Sequence, residues 1–227
     1  MQDIALRRRQ EVAERTFAFY FDKPAGFSHQ AGQNALFSLP SGTENRTFTI
    51  ASAPHERELM IATRMRDSPF KRTLAELPVG GRLKIDGPAG LMVLHEDESR
   101  PAVFLAGGIG ITPFLAMARD AQARLLRHRI TLIYSNRRPQ DAAFLADLKH
   151  MQNRNFKLVP TMTDAAADWK GERRLISREL LAAHVPDLHA PVYYVAGPLR
   201  MTMAVQGMLT ELGVKDADMR SEEFYGY

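Results

Sequence analysis

The 227 residues are 45% hydrophobic and 25% charged, with a formal charge of +4 and no cysteine. That length buries a sizeable core as one large or two small domains, and the composition is that of an ordinary globular chain. The missing cysteines exclude disulfides, thiolate catalysis, zinc ribbons and cysteine-held iron–sulfur clusters. The mild basicity, with a pI near 9.5, suits an acidic partner or a phosphorylated cofactor. No basic run exceeds Arg7-Arg8-Arg9, which argues against nucleic acid. No apolar run approaches the ~18 residues of a membrane span, and the N-terminus lacks the order of a signal peptide, so a cytoplasmic chain is expected. Seven histidines show no metal-ligand spacing and read as surface or capping residues.

Up to about residue 98 the chain reads as short strands between turns. Phe17, Phe19 and Phe21 alternate with Ala18 and Tyr20, and strands follow over 35–39, 46–50, 59–65 and 82–85. Glycine and proline punctuate them, as at Gly32, Pro78 to Gly81 and Gly87-Pro88-Ala89-Gly90. Such spacing predicts a small antiparallel barrel. A helix over 68–77, with Phe70, Leu74 and Leu77 on one face, interrupts it. The polar stretch Glu96 to Arg100 is the expected linker. From residue 101 strands are predicted over 102–106, 130–134, 156–161, 191–195 and 219–224, and helices over 113–126, 140–151, 177–184 and 198–212. That alternation implies a parallel sheet with helices on both faces. The expected division is 1–98 and 99–227.

Two segments carry chemistry. Ala102 to Pro113 reads as an apolar strand, the turn Gly107-Gly108-Ile109-Gly110 and a helix start at Thr112-Pro113. Glycines there let the backbone approach a bulky anion, and the helix start offers free amides. The spacing is neither the dinucleotide fingerprint nor a P-loop. A packing joint explains such a turn equally well, so it decides nothing alone. On the strand at 46–50, Arg46, Phe48 and Thr49 supply a guanidinium, an aromatic face and a hydroxyl, a set suited to a flavin. One outward arginine and one inward phenylalanine is the plainer reading.

Together the motifs resemble the ferredoxin-NADP reductase superfamily. Arg46-x-Phe48-Thr49, Gly80-Gly81, Gly87-Pro88-x-Gly90, Gly107-Gly108-x-Gly110-x-Thr112-Pro113, Ala196-Gly197-Pro198 and Glu222-Glu223-Phe224 occur in that family's order over nearly the whole chain. The resemblance implies a six-stranded antiparallel β-barrel that binds flavin, then a five-stranded parallel α/β domain that binds NAD(P). For the flavin it implies Arg46, Phe48 and Thr49, the segment Thr63-Arg64-Met65, and the turn ending in Phe70, Lys71 and Arg72. Phe48 replaces the usual tyrosine and so lacks its hydroxyl. FAD is the expected cofactor, with FMN possible.

For the nicotinamide nucleotide the resemblance implies Gly108, Gly110, Thr112, Gly197 and Pro198. Ser135 and Arg137 close the second strand, where an acidic residue would favour NAD, and Arg174 falls where similar reductases place another phosphate-binding arginine, so NADPH is expected over NADH. Glu222 and Phe224 are the expected catalytic pair, with Tyr227 sharing the stacking role; no metal is expected. The implied activity passes hydride from NAD(P)H to flavin, then single electrons to a separate carrier such as a small acidic redox protein or an oxygenase component. A reductase that releases reduced flavin and a non-catalytic module on the same fold are the alternatives.

Overall fold

The computed structural model describes residues 1–39, 42 and 44–224. The first half comprises β1 (Gln2–Ala13), β2 (Thr16–Asp22), β3 (Asn34–Ser38), β4 (Asn45–Thr49), β5 (Glu58–Arg64), α1 (Pro69–Glu76) and β6 (Arg82–Ala89). The strands form an antiparallel sheet in the order β4-β3-β6-β1-β2-β5. Its outer strands meet where the Ala51 amide donates to the Met60 carbonyl at 2.7 Å. Phe19, Phe21, Phe37, Ile61, Leu83 and Ile85 fill the barrel. Helix α1 plugs one end with Phe70 and Leu74, and the Ser68 hydroxyl caps it by accepting from the Lys71 amide at 3.3 Å.

The second half comprises β7 (Ala102–Gly107), α2 (Thr112–Ala123), β8 (Ile130–Asn136), α3 (Leu145–His150), β9 (Phe156–Met162), α4 (Arg178–His184), β10 (Val192–Pro198), α5 (Leu199–Glu211) and β11 (Met219–Phe224). The sheet is parallel, in the order β11-β10-β7-β8-β9. The chain proceeds from β7 to β8 and β9 on one side and places β10 and β11 on the other. The carboxyl end of β7 therefore stands at the switch point, where such sheets form a crevice. Helix α2 follows that end directly and is buried along almost its whole length. Its core also takes in Ala18, Ala51, Met60 and Ala62 of the barrel, so the two sheets share α2 as a common wedge.

Two expectations differ from the structure. The helix expected over 140–151 is only α3, because Pro139–Asp141 form a 3-10 turn and Phe144, buried in the core, sits in left-handed backbone at φ 58°. Three histidines are interior rather than superficial: His29, His95 and His128 are buried. The His95 amide donates to the Tyr194 hydroxyl at 2.8 Å and its Nδ1 hydrogen-bonds the same hydroxyl at 2.8 Å, which ties the 96–100 stretch to the sheet. Trp169 packs against the large core and donates its indole N–H to the Glu172 carbonyl at 2.9 Å. Among the described residues no helix is long and apolar enough to cross a membrane.

Candidate functional site

The glycine turn is built by close packing on one side and openness on the other. A Cβ at Gly110 would meet the Ala196 carbonyl oxygen at 2.3 Å and Gly197 Cα at 2.7 Å, and one at Gly107 would meet Met201 Sδ at 2.4 Å. Gly110 meets backbone, so glycine is required there for the turn to lie against β10, whereas the Met201 side chain beside Gly107 is flexible. Gly108 differs: its φ is +53° and a Cβ would meet nothing within 4 Å. The Thr112 hydroxyl is buried and donates to the Ile109 carbonyl at 3.1 Å, which locks the turn ahead of α2. Pro113 occupies the first turn of that helix, where its missing N–H costs nothing. What remains free faces the carboxyl edge of the sheet.

The flavin motif lies on β4. Arg46 is exposed and pairs with Glu44 at 3.4 Å. Phe48 packs edge-on to Phe37, 5.8 Å between centroids, and lies 5.6 Å from Phe70. Thr49 is buried, and its hydroxyl has no partner. Thr63 is buried, Arg64 pairs with Asp141 at 3.6 Å and Met65 packs on the barrel core. The Lys71 ammonium donates to the Arg64 carbonyl at 2.8 Å, and burial lowers its pKa. Arg72 pairs with Asp67. Phe70 requires a correction, since its side chain is wholly enclosed in the barrel and leaves only backbone for any cofactor.

Glu222 joins the two halves. It lies opposite Ala196 in the β10–β11 ladder, directly beside the carbonyl that crowds Gly110. Its Oε1 accepts a 2.9 Å hydrogen bond from Asn34 Nδ2, and its Oε2 is buried without a partner. Burial raises the Glu222 pKa above the usual carboxylate value, and the Asn34 bond partly opposes that rise. Asn34 is in turn the register partner of Thr49 in the β3–β4 ladder. Thr49, Asn34, Glu222, Ala196 and Gly110 thus form one continuous chain of contacts between the flavin motif and the glycine turn. Phe224 pairs in register with Pro198 and packs on the shared core. Asn34 and Glu222 also line a cleft of about 720 Å³ beside Leu91 and Arg220. Tyr227 lies outside the described residues.

The residues expected at the nucleotide phosphate occupy the same sheet edge but have partners. Ser135 ends opposite Gly107 in the β7–β8 ladder. Arg137 pairs with Asp164 at 3.1 Å, both well exposed. Arg174 donates through Nε to Glu172 at 2.9 Å and holds that carboxyl down at about 2. Arg173 is committed to the carbonyls of Ala165, Ala166 and Trp169.

Thr49 Oγ1 and Glu222 Oε2 are among the buried polar atoms without a partner, and because such atoms in folded proteins are nearly always hydrogen-bonded, both suit a polar ligand edge at this seam such as a flavin's. The residues present therefore fit the group. Asn34 escaped the sequence reading because an asparagine beside a glycine turn looks like turn chemistry, and its partner lies 188 positions away.

Residues 104–207 match the oxidoreductase NAD-binding domain family. The glycine betaine monooxygenase reductase subunit of Chromohalobacter salexigens is 29% identical over 92% of this chain. The chain spans about 60% of that relative's length. A ferredoxin--NADP reductase B of Sorangium cellulosum is 26% identical, covering 87% of this chain and 86% of its own. The structure of a ferredoxin NADP+ reductase from Neisseria gonorrhoeae with bound FAD and NADP superposes with a TM-score of 0.86 at 19% identity, over 99% of this chain and 98% of that one. The chain is thus similar to ferredoxin-NADP reductase-like reductases, in sequence to these relatives and in fold to the Neisseria structure.

Proposed function

We propose that this chain binds FAD on its barrel and NADPH at the carboxyl edge of its parallel sheet, and acts as an NAD(P)H-dependent reductase for a separate electron acceptor. The observation that carries the reading is the contact chain from Thr49 through Asn34 and Glu222 to Gly110, which gives both ligand motifs one common seam. The division of labour follows the sheets, with residues 1–98 for the flavin and 99–227 for the nucleotide.

The flavin supplies the hydride-accepting and single-electron chemistry, and the protein supplies placement. Arg46 offers forked donors to the pyrophosphate, Phe48 an aromatic edge, and Thr49 a hydroxyl to the ring. Thr63, Arg64 and Met65 border the flavin from β5, while the cap of α1 with Lys71 and Arg72 offers positive charge. Gly108 leaves the nucleotide backbone room, Gly110 and Thr112 hold the turn in shape, and Gly197-Pro198 form the opposite lip. Phe224 covers the nicotinamide entrance and Glu222 provides a carboxyl at the reacting end. Ser135 and Arg137 take the extra phosphate of NADPH. The Arg137 pair with Asp164 is exposed and worth little, so a phosphate displaces it readily. Arg174 is held harder by Glu172 and contributes less.

The electron acceptor lies outside these 227 residues, which have no cysteine and so hold no cysteine-ligated cluster. The relatives named as reductase subunits of monooxygenases favour an oxygenase component or a small acidic carrier, and a net charge of +4 suits the latter. The test is anaerobic titration of flavin-loaded protein with NADPH and NADH, repeated for Arg137→Ala. Bleaching of the flavin absorbance is expected, with a loss for NADPH in the variant that NADH does not share. Failure to retain or bind added FAD or FMN would end the reading.

A further inference from the structure

We propose that Asn34 is a positioning residue that clamps Glu222 from the barrel side, fixing which carboxylate oxygen is presented at the seam between the two sheets. This rests on the flavin reading above. Asn34 is the first residue of β3, held in register by Thr49 on one side and Ala89 on the other. Its backbone is therefore anchored to the barrel at two edges. A Cβ at Gly90 would stand 3.0 Å from Asn34 Nδ2, so the turn after β6 closes against its side-chain amide. From that fixed point Nδ2 donates to Oε1 of Glu222, on the last strand of the other sheet.

The consequence concerns the second oxygen. With Oε1 engaged, Oε2 is left buried and unpartnered, one residue pair away from the strand that backs the glycine turn. A carboxyl rotating freely would exchange its oxygens and average that arrangement away. An amide donor also favours the charged form of the acid it serves, while burial favours the neutral one. Asn34 therefore sets both the orientation of Glu222 and the pH at which it changes charge. Its isosteric acid would do the opposite, placing two carboxyl groups at one contact.

The test measures the midpoint potential of the bound flavin against pH in wild type, Asn34→Ala, Asn34→Asp and Glu222→Gln. A break in slope marks Glu222 and is absent in Glu222→Gln. Loss of the Asn34 donor is expected to move the break upward by about one pH unit, and Asn34→Asp further still. In the Glu222→Gln background Asn34→Ala shifts nothing. A purely structural Asn34 would lower the melting temperature of the variants and leave the break in place, which overturns the proposal. Side-chain carboxyl NMR titration of flavin-free protein gives an independent readout: an upward shift of the Glu222 titration in Asn34→Ala supports the clamp and an unchanged one refutes it. Wild type that binds no flavin would defeat the reading of function, whereas bound flavin with an unmoved break defeats only the role of Asn34.

Discussion

Thr49 illustrates how a single side chain divides stability from binding. Its hydroxyl is buried with nothing to bond, and an unpaired buried hydroxyl costs roughly 1–3 kcal/mol relative to one that is satisfied. Thr49→Val keeps the shape and removes the debt. Without flavin the variant is expected to melt at the wild-type temperature or slightly above it. With flavin it loses the bond that the hydroxyl was held ready to make, about 1 kcal/mol, or some five- to tenfold in affinity. Thermal unfolding with and without FAD checks both arms, and a variant that melts early in both conditions contradicts the assignment. At this scale Thr49 and the glycines stand out in the sequence by residue type and spacing, and Glu222 only through the family resemblance. Asn34 does not, because nothing local distinguishes an asparagine that reaches another domain from one that shapes a turn.

The strand, turn and helix from β7 to α2 set two glycines two positions apart, Gly108 and Gly110, to different uses. Gly110→Ala drives a methyl into the Ala196 carbonyl, and backbone on a central strand cannot step aside. About 2–3 kcal/mol of stability is expected to be lost, measurable by urea unfolding without any ligand. Gly108→Ala has open space and pays only for left-handed backbone, roughly 1–2 kcal/mol. Its methyl instead projects where a nucleotide must lie, so NADPH affinity should fall more than stability does. Equal losses of affinity in the two variants, after correction for unfolding, would count against a nucleotide at Gly108. The same element shows why periodicity alone placed most strands well. Apolar strand cores such as Ala102–Gly107 have few other solutions, whereas β1 hides behind Arg7-Arg8-Arg9. Arg8 lies 3.3 Å over the Tyr20 ring and Arg9 reaches the Ala75 carbonyl, so a polar run is strand because its stems cover neighbours. Helix α3 was misjudged for the complementary reason: burying Phe144 outweighs its helical preference.

For the molecule as a whole, the seam between the two sheets carries a pH dependence. His29 from the barrel, His95 from the stretch between β6 and β7 and His128 from the second half border one cavity with Asp120 of α2. Each turns Nε2 to a backbone carbonyl, of Ser52, Arg100 and His95 respectively. Burial lowers the pKa of His29 and of His95 below the ordinary 6.5. Lys23 opposes protonation of His29 while Asp120 and Glu56 favour it, and His128, Arg220 and Arg100 all oppose protonation of His95. With folded pKa values below the unfolded one, the unfolded chain binds more protons. The stability these two histidines lend is fully present above pH 6.5 and is lost as pH falls from 6.5 through their folded pKa values. Glu222 works in the opposite sense, since its raised pKa makes the native state the better proton binder, and its contribution fades as pH rises from 4.5 through the folded value. Urea unfolding is therefore expected to show a stability that declines on acidification from pH 7.5 to 5.5. The decline should flatten in a His29→Gln, His95→Gln double variant, which has no imidazole to charge at either place. Tryptophan fluorescence from Trp169, in the second half, and far-UV circular dichroism from both halves should trace the same transition, because α2 sits in a core shared with Ala18, Ala51 and Met60 of the barrel. Two separated transitions, or an acid response that survives loss of both histidines, would place the pH-sensitive contact somewhere other than this seam.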